Sequence, residues 1–124
     1  MAEQVLEASI MHHQNMGVDI CRAMRNEAVK LGFDPTLMPQ IDWEKAKFSL
    51  NRDPIDGNEY LSGVWNNDKG HRIGSVQFNS DGSFYAEYDI VKNHPKDKRW
   101  FVEAVTAWGR DRNIKTEPRL LEAV

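Results

Sequence analysis

The chain has one cysteine, Cys21, no long apolar run, and a net charge of only −3 over 124 residues. A lone thiol excludes an internal disulfide and supplies none of the paired-cysteine spacing of a zinc site; it fits a reducing compartment. No apolar stretch reaches the roughly 20 residues that a bilayer-spanning helix needs, so no membrane association is expected. The start, Met-Ala-Glu-Gln-Val-Leu-Glu, lacks the basic segment and apolar core of a secretory signal, which points to a cytoplasmic protein. Glycine-rich phosphate loops are missing too, since Gly70 and Gly74 flank an apolar run instead of opening a helix. There is no Gly-x-Ser-x-Gly elbow and no His-Glu-x-x-His pair. These absences lean away from an enzyme, and no cofactor is expected.

What is present is ordinary globular material. With 40% hydrophobic and 28% charged residues, the chain can build a core without staples, and residues 1–124 read as a single α+β domain. Charge divides unevenly: residues 1–91 hold 8 Lys+Arg against 14 Asp+Glu, and residues 92–124 hold 8 against 5. The basic end is either a solvated surface or a face turned to an acidic partner.

Two tight-turn signals stand back to back in the middle of the chain. Asn67-Asp68-Lys69-Gly70 separates the apolar runs 60–65 and 73–78, and Ser80-Asp81-Gly82-Ser83 separates the second run from 84–91. Asp and Gly tolerate the positive φ that hairpin turns require. Three consecutive antiparallel strands follow, with residues 45–50 as a short strand before them. Phe84, Ala86, Tyr88 and Ile90 share one face of the last strand, while Tyr85, Glu87 and Asp89 share the other.

Helices flank this meander. Leu6, Ile10, His13, Gly17, Ile20, Met24 and Leu31 recur at alternating three- and four-residue spacing, which predicts one helix over 3–31 with Gly32 as its C-cap. The helix kinks near Gly17, or Gly17 admits a close neighbour. Its stripe suits homodimerisation as a short coiled-coil seam, although packing on its own sheet is the slightly favoured alternative. Residues 33–43 form a connecting loop with Trp43 as an anchor. After Pro95, Trp100, Phe101, Ala104, Val105 and Trp108 form the stripe of a second helix, and Leu120, Leu121 and Val124 a short apolar tail beyond Pro118. The expected fold is thus an antiparallel three- to four-stranded meander with a long N-terminal helix and a C-terminal helix packed on one face, in the order α-β-β-β-β-α. Helix, three strands, helix, with a basic start to the last helix, resembles double-stranded-RNA-binding domains in element order. Those domains set lysines there against phosphates; here Pro95, Asp97 and Trp100 replace the family's Lys-Lys pair and small residues.

Candidate chemistry is sparse. His12 and His13 project about 100° apart on a helix and cannot share one metal. Loop 53–59 fails as a calcium loop, because Gly57 at its sixth position would place Arg52 first and Pro54 third. A metal or catalytic site from His71, His94 and that loop has no supporting spacing, so no metal ligand is assigned. Cys21 lacks an activating partner. The leading expectation is a small non-enzymatic binding or regulatory protein, accessory or inhibitor in kind, with a protein partner. Trp65, His71, Tyr85, Glu87 and Asp89 are its contact candidates, as exposed aromatics and the uncovered sheet face. The alternative is an RNA- or DNA-binding module using Lys92, Lys96, Lys98, Arg99, Arg110 and Arg112, disfavoured by the net acidic charge.

Overall fold

A computed structural model describes residues 2–123 of the chain. The expected N-terminal helix is there as two segments, α1 (Ala2–His12) and α2 (Gln14–Leu31). The break falls at His13, not at Gly17, and the backbone bonds His13 N–H to Ser9 O and Gly17 N–H to His13 O run across it. Gly32 ends α2 in the left-handed conformation that a C-cap requires, with φ 110°. Val124 lies outside the described residues.

The C-terminal half overturns the expected fold. Six antiparallel strands, not three or four, form one meander in chain order among the described residues: β1 (Lys47–Arg52), β2 (Glu59–Asn66), β3 (Arg72–Asn79), β4 (Ser83–Asn93), β5 (Trp100–Arg110) and β6 (Asn113–Glu122). Among the described residues no helix follows the sheet; the segment read as a C-terminal helix is β5, and Leu120 and Leu121 of the apolar tail belong to β6. The cause is visible in β5. Val102, Val105 and Ala107 join the core, while Ala104 and Thr106 are buried on the opposite face. A register shift between Val102 and Ala104 puts residues three apart on the same side. A strand buried on both faces and broken by a bulge mimics helical spacing, and periodicity alone does not separate the two. Its β-branched and aromatic residues point to strand. In β6, Pro118 resembles a break but sits in an edge strand, where a missing N–H is tolerated.

The two helices cover one face of the sheet, with α2 across β4, β5 and β6 and α1 beside β1. The regular stripe is consumed within the chain: Gly17, Ile20, Cys21, Met24 and Ala28 are buried. They meet Phe84, Ala86, Tyr88, Val102 and Val105 in one core. Each large apolar side chain sealed here contributes about 1.5–3 kcal/mol. None of the helices among the described residues is long and apolar enough to cross a membrane.

The connection between α2 and β1 crosses the core through two single 3-10 turns, Pro35–Leu37 and Trp43–Lys45. Two ring donors fasten it: the Tyr88 hydroxyl donates to Pro39 O, and Trp65 Nε1 donates to Asp42 O at 2.6 Å. Trp43 packs on Phe48 with centroids 4.5 Å apart and lies flat against Gly17, where a Cβ would stand 2.2 Å from the indole. His13 stacks on Phe78 at 4.5 Å, and its Nδ1–H donates to Ser9 O at 2.9 Å.

Two predictions follow from this packing. Ala is the better helix former by about 1 kcal/mol, yet Gly17→Ala is expected to lower the urea unfolding free energy by about 1–3 kcal/mol by overpacking the indole. Burial, assisted by the charge of His12 and opposed by the Ser9 hydrogen bond, holds the His13 pKa below 6.5. Between that lowered value and 6.5 the unfolded chain binds more protons, so this contribution to stability is complete above about pH 6.5 and is lost as pH falls through the native pKa. His13→Gln should flatten that part of the stability–pH curve in parallel urea titrations.

Candidate binding surface

The sheet face away from the helices is uncovered, and alternation along β4 places Tyr85, Glu87 and Asp89 there. Antiparallel register sets Tyr85 between Gln77 and Trp108, Glu87 between Ser75 and Thr106, and Asp89 beside Ala104. Two arginines from other strands close on these residues. Arg72, at the start of β3, donates from Nε to Asp89 Oδ2 at 3.0 Å and from Nη2 to Glu87 Oε2 at 3.3 Å. Arg119 lies on β6, opposite Ala104 of β5. It reaches past β5 to donate from Nη1 to Glu87 Oε1 at 2.5 Å and from Nη2 to the Tyr85 hydroxyl at 2.6 Å.

Small residues on β5 make that reach physically reasonable. Adjacent strands are about 4.8 Å apart, so a side chain bridging two strands must lie over the one between. Ala104 and Thr106 leave the room, and the arginine stem accounts for their being buried on a face that is otherwise open. Glu87 is held through both oxygens; its side chain is only 13% exposed, against 49% for Arg72 and 42% for Arg119. Desolvation works to lower the Arg119 pKa, but the hydrogen bond and charge of Glu87, with Tyr85 and Glu103, outweigh it and hold the value above the usual one. The result is a locally neutral cluster of two cations and two anions beside a 41% exposed tyrosine. Over β1 and β2 the same face carries Lys47 and is otherwise uncharged, with Asn51 Nδ2 donating to Ser62 Oγ at 2.9 Å and to Ser49 Oγ at 3.1 Å.

The remaining sequence candidates are scattered. Trp65 is turned inward and buried, and His71 is exposed in the β2–β3 turn, next to Arg72. Its backbone N–H donates to Asn67 Oδ1 at 2.9 Å. Lys92, Lys96, Lys98 and Arg99 lie at the end of β4 and in the β4–β5 connection, whereas Arg110 and Arg112 lie at the far end of β5. Eleven strand residues separate the ends of β5 by roughly 33 Å. Arg99 is engaged by Asp97 at 2.8 Å, whose carboxyl the guanidinium hydrogen bonds pull down to about 2, and Arg110 pairs with Asp81 at 3.1 Å. These cations therefore form no single basic patch. His94 Nδ1 accepts the Lys96 and Asp97 N–H groups, both at 3.0 Å, as a turn fastener. Asp53 and Asp56 accept the N–H groups of Ile55 and Asn58, each at 2.8 Å. Among the described residues no group of three or more His, Cys, Asp or Glu is placed to hold a metal ion.

Arg72 and Arg119 were not among the sequence candidates. The alternation Lys115, Glu117, Arg119 carries the signal for the second, once β6 is read as a strand. Comparison with protein-family models, with curated proteins and with solved structures finds no match for this chain.

Removing the shared acceptor should expose how tightly the cluster is built. Glu87→Ala removes one acceptor from each arginine, leaving Arg72 on Asp89 and Arg119 on the Tyr85 hydroxyl, and is expected to cost about 1–2 kcal/mol, with Glu87→Gln, which keeps one acceptor, costing less. Urea unfolding of the two variants beside the parent measures both.

Proposed function

We propose that the protein is a small non-enzymatic binding or regulatory protein that acts through protein–protein contacts, with the open sheet face over β4–β6 as its contact surface. The observation that supports this most is the cross-strand cluster of Arg72, Glu87, Asp89 and Arg119 with Tyr85 at its side. Arg and Tyr are enriched at binding hot spots, and long side chains already held in place lose little freedom on association. A cluster with both signs on a rigid sheet favours a polar partner surface with matched charges and rejects a uniformly charged one. The split of the basic residues between the two ends of β5 supports this reading over nucleic-acid binding, which rests on clustered cations.

The test is affinity capture from the native host with the parent chain, a Tyr85→Ala/Arg72→Ala variant and a Lys30→Ala control on the exposed side of α2, each first shown folded by circular dichroism. The expected outcome is a protein held by the parent and the control and lost from the double variant. Retention of every captured protein by the double variant overturns the assignment of this face. Retained binding to generic duplex that weakens steeply with added salt would favour nucleic acid instead.

A further inference from the structure

On the helix-covered side, α2 and the connection that follows it enclose an open cavity of about 480 Å³. That size is within the range of small-molecule sites. Cys21, Arg25 and Asn26 line it from the helix; Ile41, Asp42 and Glu44 line it from the connection. Arg25 is the unusual member. Its Nε is buried and has no hydrogen-bond partner among the described residues. Six other arginines, Arg22 at the rim of the same cavity included, have a carboxylate within 3.3 Å. Arg25 and the exposed turn residue Arg112 have no such partner among the described residues. Buried polar groups are nearly always bonded, and an unmet charged donor is among the costlier exceptions.

Arg25 is half-buried and lines the cavity together with Cys21. Because Arg25 lines the cavity, a guest that pairs with its guanidinium there must carry an acceptor. A purely anionic guest would also face Asp42 and Glu44 on the opposite wall, and Asp42 is only partly offset by Lys45 at 3.6 Å. A guest with an anionic end and a cationic end meets both walls favourably. We propose that this cavity binds a small zwitterion of the amino-acid type, its carboxylate on Arg25 and its ammonium toward Asp42 and Glu44.

Planar bidentate pairing suits a carboxylate on a guanidinium, and Asn26 on the same wall can donate from its amide as well. Trp43 and Ile41 give the cavity an apolar boundary on the core side. Burial, with the Asp42 charge behind it, pushes the Cys21 thiol up to about 12, so it acts as an inert wall and not as a nucleophile. This site is separate from the outer sheet face, and neither depends on the other.

The test uses the full chain and the twenty free amino acids at about 10 mM, a concentration that reveals even millimolar affinity. Acetate, inorganic phosphate and methylamine serve as half-ligands. Readouts are the melting temperature and the Arg25 Nε–Hε resonance in a nitrogen-15 spectrum. At least one amino acid should raise the melting temperature and move that resonance, with each half-ligand binding about tenfold more weakly or worse. Arg25→Gln should weaken the binding about tenfold or more, and the double change Asp42→Asn/Glu44→Gln should narrow the gap between the amino acid and acetate. Because Arg25→Gln can disturb folding, the resonance in the parent chain decides independently. A resonance unmoved by every amino acid overturns the proposal. So does acetate or phosphate binding as well as the best amino acid, since the acidic wall would then have no role.

Discussion

The placement of the whole helical layer depends on one contact, the indole of Trp43 lying against the bare backbone of Gly17. A helix packs on a sheet at a distance set by the side chains between them, and a glycine lets the neighbour come closest. With Trp43 seated there, the connection after α2 is drawn over the core, where Tyr88 and Trp65 hold its carbonyls by their ring donors. Those bonds also give the buried ring donors their partners. The same arrangement creates the cavity beside Arg25, whose far wall is the connection itself. The stability of the core and the existence of a ligand-sized space thus trace to the same notch.

On the other side of the sheet, organisation comes from irregularity. The register shifts in β4 near Val91, where φ is 53°, and in β5 after Val102 fall at one level of the sheet, and the one in β5 changes that strand's parity. Bulges bend strands and re-aim side chains. Here the β5 shift leaves Ala104 on the outer face, below the path of the Arg119 side chain, while plain alternation along β4 sets Asp89 within reach of Arg72. Arg119 is therefore able to act on β4 from β6. The charged cluster depends on small residues in the intervening strand as much as on its own members.

These two devices also explain what could be read from the sequence. The hairpins around Asp68-Lys69-Gly70 and Asp81-Gly82 and the inward face Phe84, Ala86, Tyr88 and Ile90 were legible, because turn chemistry and alternation are local properties. The helix over α1 and α2 and its cap at Gly32 were legible for the same reason. The last two strands were not. In β5 the bulge spaced Val102 and Val105 three apart, and burial on both faces filled the gaps with Ala104 and Thr106, so the pattern imitated a helix. Pro118 hid β6. At the candidate surface, Tyr85, Glu87 and Asp89 could be found from the β4 alternation alone. Arg72 and Arg119 could not, since their roles come from neighbours in space across strands. Trp65 was misjudged because proximity to a turn was taken as exposure, while its indole finds a carbonyl partner inside.

The meander does not close on itself, so its outer strands each keep an unpaired side. Such borders invite recruitment of further chains, the first step toward fibrils. β1 is brief, and β6 is interrupted where Pro118 offers no amide hydrogen to a newcomer. Lys115, Glu117 and Arg119 add alternating ionic side chains along the same margin, which a passing strand would have to match in sign at every second position. The proline that concealed the last strand in the sequence therefore doubles as a device against lateral growth at the β6 border.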